Sequence, residues 1–200
     1  MNILNLYAGI GGNRKLWGNE HNITAVEYDE KIANVYKEFF PKDTVIVDDA
    51  HEYLLKHYKE FDFIWSSPPC VTHSKLVLGN INKPNCFHYP DMKLYQEIIL
   101  LKTFCKTKWV IENVKPYYTP LIEPSFCIGR HNFWSSDFIL TIQRGSNHSQ
   151  IRNNRNLLAK SLGFDINHLK NKNIDVRQVL RNCVEPEIGK YILDKIVERF

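Results

Sequence analysis

Ile3-Leu4-Asn5-Leu6-Tyr7 runs directly into Ala8-Gly9-Ile10-Gly11-Gly12, and this stretch decides the fold. Its first half is a short apolar run typical of a buried strand, and residues 13–17 have the pattern of a helix start. Glycine permits a tight turn and lets a ligand approach the N-terminus of the following helix. Strand, glycine turn and helix together predict the opening of a nucleotide-binding α/β unit.

The glycine turn lacks two common phosphate-binding patterns. No Gly-Lys-Ser/Thr follows it, and its spacing is not G-x-G-x-x-G. The first absence excludes a P-loop, and the second disfavours a dinucleotide site. A purely structural glycine turn remains the alternative.

Two further apolar runs end at acidic residues. Residues 22–26 lead into Glu27, and residues 44–47 lead into Asp48 and Asp49. A parallel sheet brings such strand ends to one edge, where α/β folds bind ligands. Glu27 is therefore a candidate to accept hydrogen bonds from ribose hydroxyls, and Asp49 a candidate for an adenine amino group. Asp49 is equally well placed to cap the next helix, and Asp29 is predicted to be a helix cap.

A fourth apolar run stops at two prolines and a cysteine: Phe61-Asp62-Phe63-Ile64-Trp65-Ser66-Ser67-Pro68-Pro69-Cys70. Proline fixes φ and cannot donate to a sheet ladder, so the strand must end there. A thiol just past a strand end has the position of a presented nucleophile. The alternative is a structural cysteine, because free cysteine is often buried.

A fifth run, residues 108–111, ends at Glu112 and Asn113. This places a carboxylate at the same predicted edge as Cys70, which suggests an acid paired with a nucleophile. Further along, Arg130 and His131 are candidates to hold a base or a phosphate; a structural ion pair is the alternative for each.

Composition limits the other possibilities. The 200 residues suit one domain with a small appendage, and the net charge of +4 is compatible with a polyanionic partner. The five cysteines include no C-x-x-C pair, so we expect neither a disulfide framework nor a metal site, and a reducing cytoplasm fits best. The opening residues have no basic flank or long apolar core, so we expect no secretory signal there, and no apolar run reaches membrane-spanning length.

Three other segments carry expectations. Residues 71–90 are polar and basic, and we expect an irregular loop that either closes over a substrate or is a mobile insertion. Residues 92–106 and the C-terminal residues from Glu185 have helical spacing. Residues 144–173 are basic, which suits phosphate contacts or a solvated face, and also contain leucines that predict a short packed helix.

With these motifs in order, the chain resembles the DNA cytosine-5 methyltransferase family. Residues 5–12 resemble its S-adenosylmethionine loop, Ser67-Pro68-Pro69-Cys70 its Pro-Cys nucleophile motif, and Ile111-Glu112-Asn113-Val114 its Glu-Asn-Val motif. Residues 177–186 resemble the late motif that returns to the cofactor pocket. The resemblance covers residues 1 to about 134 and 176 to the end.

The resemblance implies an α/β, Rossmann-like class I methyltransferase fold: a mostly parallel, doubly wound sheet with a very small basic appendage. Residues 1–135 and 175–200 would form the S-adenosylmethionine-dependent catalytic domain, and residues 136–174 a reduced target-recognition insertion. It implies these catalytic residues: Cys70, Glu112, Asn113 and Arg130. It implies these cofactor-binding residues: Tyr7, Ala8, Gly9, Gly11, Gly12, Glu27, Tyr28, Asp49, Pro68, Asn182 and Val184.

Departures from the family pattern bear on the substrate. Val71 stands where the family has Gln after Pro-Cys, and Arg181-Asn182 stands where it has Gly-Asn. The family's Gln-x-Arg-x-Arg motif has no clean match, so the role of its arginine is assigned to Arg130. Because residues 136–174 replace a much larger target-recognition domain, we expect a minimal enzyme of relaxed specificity or one that needs a protein partner.

The chemistry implied is methyl transfer to carbon 5 of cytosine in double- or single-stranded DNA, with Cys70 attacking carbon 6 of a flipped-out base. Three alternatives remain at this stage. They are an RNA cytosine-5 methyltransferase, an exocyclic-amine methyltransferase that uses the Ser-Pro-Pro element, and a non-catalytic cofactor-binding subunit associated with DNA.

Overall fold

A computed structural model describes residues 1–80, 89–137, 139 and 153–198. In these ranges seven strands form one sheet in the order β3-β2-β1-β4-β5-β7-β6. The strands are β1 (Asn2–Leu6), β2 (Asn22–Glu27), β3 (Thr44–Val47), β4 (Phe63–Ser66), β5 (Lys108–Val114), β6 (Phe126–Ile128) and β7 (His131–Ser135).

Five of these strands are parallel neighbours, from β3 at one edge to β5. Strand β7 then pairs antiparallel with β5, and β6 pairs antiparallel with β7. The predicted mostly parallel α/β sheet is confirmed. The antiparallel edge was not predicted, and β5 continues beyond the expected end at residue 111, so that Glu112 and Asn113 lie inside a strand.

Helices connect and cover the strands. The described helices are α1 (Glu30–Phe39), α2 (Ala50–His57), α3 (Lys93–Phe104), α4 (Arg155–Ser161), α5 (Ile166–Lys170), α6 (Val176–Asn182) and α7 (Pro186–Val197). The regular helix expected after the glycine turn is instead a single 3-10 turn, Asn13–Leu16. A second 3-10 helix, Lys75–Asn80, gives regular structure to part of the loop expected to be irregular.

Alternate residues of each strand pack on opposite faces of the sheet, as the two-residue period of a strand requires. On one face, Ile3 and Phe63 pack with Ile188 and Ile192 of α7. On the other face, the neighbouring strand residues pack against α2 and α3 through Leu4, Ile64, Leu54, Ile98 and Leu101. Apolar cover on both faces defines a doubly wound sheet.

The basic segment expected to form an appendage is packed where the structure describes it. Helices α4 and α5 form an apolar cluster with α1 and α6, which includes Leu158, Leu162 and Phe164. Glu38 of α1 accepts hydrogen bonds of 2.7 Å from both His168 and Lys172. The short packed helix is confirmed, whereas phosphate contacts by this segment stay a prediction.

The 3-10 turn after the glycines is anchored by a buried ion pair. The Arg14 guanidinium donates two hydrogen bonds, of 2.8 and 3.0 Å, to the carboxylate of Asp43. Tyr36 donates a third, of 2.8 Å, and burial followed by the Asp43 charge raises the pKa of this phenol. The turn that opens the fold is therefore fixed to helix α1 and to the loop before β3.

The strand expected over residues 138–142 lies outside the described residues except at Ile139, which is buried. Within the described part of the chain, no helix has the length and apolar content needed to cross a bilayer.

Candidate active site

A cleft of about 510 Å³ opens at the carboxyl ends of the parallel strands. Its wall comes from the glycine turn, the ends of β2, β4 and β5, the start of β7, and the segment joining α6 to α7. This is the edge at which open α/β sheets bind ligands. Most predicted site residues line it: Tyr7, Ala8, Gly9, Gly12, Glu27, Tyr28, Asp49, Pro68, Cys70, Glu112, Arg130, Asn182 and Val184.

Two predicted site residues do not line the cleft. Gly11 faces the opposite way, because a Cβ there would lie 2.3 Å from the ring of Phe40. Asn113 is buried behind the wall and donates a 3.0 Å hydrogen bond to the carbonyl of Pro68. Its side-chain carbonyl oxygen accepts from the Val114 N–H at 2.9 Å, so both ends of its amide are used.

The glycine turn leaves room on one side and makes a tight contact on the other. Gly9 has a left-handed φ of 55°, and no atom lies within 4 Å of where its Cβ would be. At Gly12 a Cβ would come within 2.6 Å of Cys183 Cβ and 2.7 Å of the Val184 carbonyl. Only glycine therefore lets the turn meet the late segment, and together they close one end of the cleft.

The two strand-end acids each use some of their acceptors within the protein. Glu27 accepts backbone hydrogen bonds from Gly9 at 2.9 Å and from Asp29 at 3.0 Å, which ties the end of β2 to the glycine turn. Asp29 itself caps α1, as predicted.

Asp49 caps α2 through Oδ1 by accepting from the His51 N–H at 2.8 Å, and its Oδ2 lies 3.4 Å from Lys93 Nζ. Partial burial acts to raise the pKa of this carboxyl, but the cap hydrogen bonds and Lys93 outweigh that effect and hold the pKa below its usual value. The capping alternative for Asp49 is confirmed, and the same residue also lines the cleft.

Cys70 is a half-buried cysteine at the end of the Pro-Pro turn. Its carbonyl accepts backbone hydrogen bonds from His73 at 3.1 Å and Ser74 at 2.9 Å, so the chain turns tightly just after the cysteine. Val71 is 61% exposed beside it. The thiol is therefore held at the cleft wall and is not sealed in the core.

Opposite charges gather near that thiol. Glu112 is buried, and its Oε1 lies 3.3 Å from Nδ1 of His131. Although Arg130 is solvent-accessible as a residue, desolvation of its guanidinium lowers its pKa, and the charges of Glu112 and Cys70 counteract that effect. Arg130 also donates a 3.3 Å hydrogen bond to the Arg181 carbonyl, which orients it across the cleft.

His131 was a candidate, with Arg130, to hold a base or a phosphate, but it was not among the predicted catalytic residues and its approach to Glu112 was not predicted. Its position follows from the antiparallel pairing of β7 with β5, in which His131 faces Val114. This register is a long-range property, and the local sequence offered no signal for it. Lys93 also lines the cleft and was not predicted to do so. Gln178, which lines it too, belongs to the late motif expected at the cofactor pocket but was not singled out.

A doubly wound, mostly parallel sheet with a glycine turn and a ligand cleft at its carboxyl edge is a Rossmann-like α/β fold. The profile of C-5 cytosine-specific DNA methylases matches residues 1–120, which is more than half of the chain. The chain belongs to this family, and it is accordingly a methyltransferase that acts on cytosine in DNA.

Similar solved structures include a hypothetical protein of Thermus thermophilus, with 16% identity, a TM-score of 0.45, and coverage of 67% of this chain and 73% of that one. The methyltransferase EhMeth of Entamoeba histolytica has 16% identity and a TM-score of 0.37, with coverage of 57% and 38%. An S-adenosylmethionine-dependent methyltransferase of Agrobacterium tumefaciens has 14% identity and a TM-score of 0.40, with coverage of 60% and 40%. No curated protein sequence matches the chain.

Proposed function

We propose that the chain transfers a methyl group from S-adenosylmethionine to carbon 5 of cytosine in DNA, through a covalent adduct between Cys70 and carbon 6. The observation that carries this proposal is that Cys70, Glu112 and Arg130 line the same cleft as the glycine turn. A nucleophile, an acid and a cation are thereby within reach of one small molecule and one base.

The end of the cleft lined by the glycine turn, Glu27 and Asp49, called the donor end here, fits S-adenosylmethionine. The cleft volume lies in the range of small-molecule sites, roughly 300–1,000 Å³. The open space at Gly9 allows close approach of a ligand to the backbone. Glu27 and Asp49 would accept hydrogen bonds from ribose hydroxyls and the adenine amino group, and Ile10 and Ile32 supply apolar wall. When bound there, S-adenosylmethionine supplies an electrophilic methyl group.

Cys70 activates the base. Carbon 5 of cytosine is a weak nucleophile until a thiolate adds to carbon 6 and makes the ring an enamine. Carbon 5 would then be able to accept the methyl group, with S-adenosylhomocysteine as the leaving group. Loss of the carbon 5 proton to water and cleavage of the bond from sulfur to carbon 6 regenerate the thiolate.

Glu112, in its protonated form, would donate to N3 of the base and accept from its exocyclic amine, which stabilises charge as the adduct forms. His131, 3.3 Å from the Glu112 carboxyl, is placed to influence where that proton resides. Arg130 would serve as a second anchor for the base, and its positive charge favours the thiolate of Cys70. Asn113 contributes indirectly, by holding the Pro68 carbonyl and so the turn that carries Cys70.

The domain division also remains a proposal. Residues 1–135 and 175–200 would carry catalysis, and residues 136–174 would be a reduced target-recognition insertion. The described part of that insertion packs on α1 and α6. A partner chain as the source of sequence recognition is part of the proposal. A reducing cytoplasm remains the expected compartment.

Labelled S-adenosylmethionine incubated with mixed DNA and with tRNA, followed by nucleoside mass spectrometry, tests the reaction. We expect labelled 5-methylcytosine from DNA. Product from tRNA alone would support the RNA alternative, and N4-methylcytosine or N6-methyladenine would support amine methylation. An absence of product in the presence of measurable cofactor binding would favour the non-catalytic subunit.

The covalent step is tested with DNA that contains 5-fluorocytosine, which traps the adduct because fluorine cannot leave as a proton does. Wild-type protein should gain the mass of the DNA, and Cys70→Ser should abolish both trapping and methyl transfer while still binding S-adenosylmethionine. Cys127→Ser, a change at an exposed cysteine on β6, is the matched control and should behave as wild type. Methyl transfer by Cys70→Ser at near wild-type rate would refute the nucleophile assignment.

A further inference from the structure

Glu97 of helix α3 is a completely buried carboxylate that lies outside the cleft wall. Its Oε1 accepts a 2.6 Å hydrogen bond from the hydroxyl of Tyr7 and lies 3.1 Å from Nδ1 of His51. Its Oε2 accepts a 2.7 Å hydrogen bond from the hydroxyl of Ser66. The lengths of the two hydroxyl bonds are those of well-formed O–H···O hydrogen bonds.

The three donors come from three different parts of the site. Tyr7 begins the glycine turn and has a left-handed φ of 55°, which is uncommon for a residue other than glycine. Ser66 is the last residue of β4 and lies four positions before Cys70. His51 is in the first turn of α2, next to the cap formed by Asp49.

Such a carboxylate is tolerated in a core only when its lone pairs are satisfied. Burial and then the Glu97 charge raise the pKa of Tyr7, which keeps its hydroxyl protonated and able to donate. The hydrogen bond to Glu97 likewise raises the pKa of His51, although burial opposes it. All three groups are therefore suited to act as donors to the Glu97 side chain.

We propose that Glu97 is a positioning residue that fixes the methyl-donor loop at Tyr7 relative to the turn that carries Cys70. This inference rests on the proposed function, because it concerns the spacing of the two reactants. Methyl transfer depends steeply on that spacing, since a misplacement of about 1 Å can cost about 100-fold in rate. One carboxylate shared by both segments makes each sensitive to changes in the other.

Two measurements that need no turnover test this coupling: the Kd of S-adenosylmethionine by calorimetry, and the rate of alkylation of the Cys70 thiol, with Cys70→Ser giving the background from other cysteines. Glu97→Gln keeps the shape but presents one acceptor to three donors. It should weaken cofactor binding by about 10-fold or more, as expected for lost hydrogen bonds to a charged group, and should also change the alkylation rate. Glu123→Gln, at an exposed site, is the matched control.

Two smaller changes keep the test decisive if Glu97→Gln does not fold. Tyr7→Phe and Ser66→Ala each remove one hydroxyl. If Glu97 couples the two segments, Tyr7→Phe should alter the alkylation rate of Cys70, and Ser66→Ala should weaken cofactor binding. If each variant changed only the measurement for its own segment, or if folded Glu97→Gln changed neither, the proposal would be wrong. If the wild-type protein binds S-adenosylmethionine and its Cys70 is alkylated, but no 5-methylcytosine forms, the proposed function would be refuted and this inference would not.

Discussion

Replacement of Asn113 offers the sharpest test of how the site is held together. Its amide donates to the Pro68 carbonyl at 3.0 Å and accepts from the Val114 N–H at 2.9 Å, and the side chain is almost fully buried. Asn113→Ala removes both hydrogen bonds and leaves the buried Pro68 carbonyl without this partner. The turn that carries Cys70 then loses its tie to β5.

The loss of unfolding free energy expected for Asn113→Ala follows from these two hydrogen bonds. An unsatisfied buried group costs about 1–3 kcal/mol. Val114 borders the cleft, so water can replace part of its lost bond, and about 1 kcal/mol is a fair allowance there. The sum is about 2–4 kcal/mol, less than the roughly 5–15 kcal/mol that stabilises a typical domain. For a chain of this size it corresponds to a fall in Tm of about 4–16 °C.

Scanning calorimetry and kcat, both measured well below the lowered Tm, give the readout. We expect kcat to fall at least 10-fold because the thiol is displaced. Asn113→Asp, which removes only the donor and brings a carboxylate to the Pro68 carbonyl, should lose at least as much kcat. Asn22→Ala, at an exposed asparagine pair, should leave both quantities within error. A wild-type kcat with a Tm change under about 1 °C for Asn113→Ala would refute the reasoning.

Three other changes have defined outcomes. Gly12→Ala should abolish measurable binding of S-adenosylmethionine in calorimetry, because the added Cβ would overlap the segment after α6. Gly79→Ala, whose Cβ would meet no atom within 4 Å, should leave binding unchanged. Equal Kd values for the two variants would contradict this. Arg14→Met should lower the free energy of urea unfolding by about 3–5 kcal/mol, since the buried Asp43 carboxylate loses its counter-charge and keeps only the hydrogen bond from Tyr36. Lys190→Met, in an exposed pair, should change it by less than about 1 kcal/mol. Burial lowers the pKa of His73 below its unfolded value, so this residue should contribute a loss of stability as pH falls below about 6.5. His73→Phe should therefore lose less Tm than the wild type over that pH range, and parallel Tm-against-pH curves would count against it.

The parallel half of the fold could be predicted because its strands are short apolar runs that end in recognisable residues. Glycine, acids and the Pro-Pro-Cys turn mark those ends in the sequence, and a parallel sheet brings them to one edge. The antiparallel edge could not be predicted in this way. Strand β7 begins with the polar pair His131 and Asn132, and its register against β5 depends on contacts that no local pattern encodes.

The site likewise has residues that the local sequence marks and residues whose contacts depend on long-range strand register. Cys70 and Glu112 were predicted from strand ends, whereas the approach of His131 to Glu112 requires the register of β7. The buried position of Glu97 is marked in the sequence. It lies three residues after Leu94 and four before Leu101, on the apolar face of an amphipathic helix, and a carboxylate in that position requires buried donors.

The close contact of Gly12 with Cys183 and Val184 has a consequence for assembly. Nearly the whole polypeptide separates the two sides of this seam, so the donor end of the cleft is incomplete until the last two helices have docked. Any molecule that binds across the seam stabilises the docked state in proportion to its occupancy. The methyl donor would then act as a folding ligand as well as a reactant, and cellular supply of it would influence how long the enzyme survives.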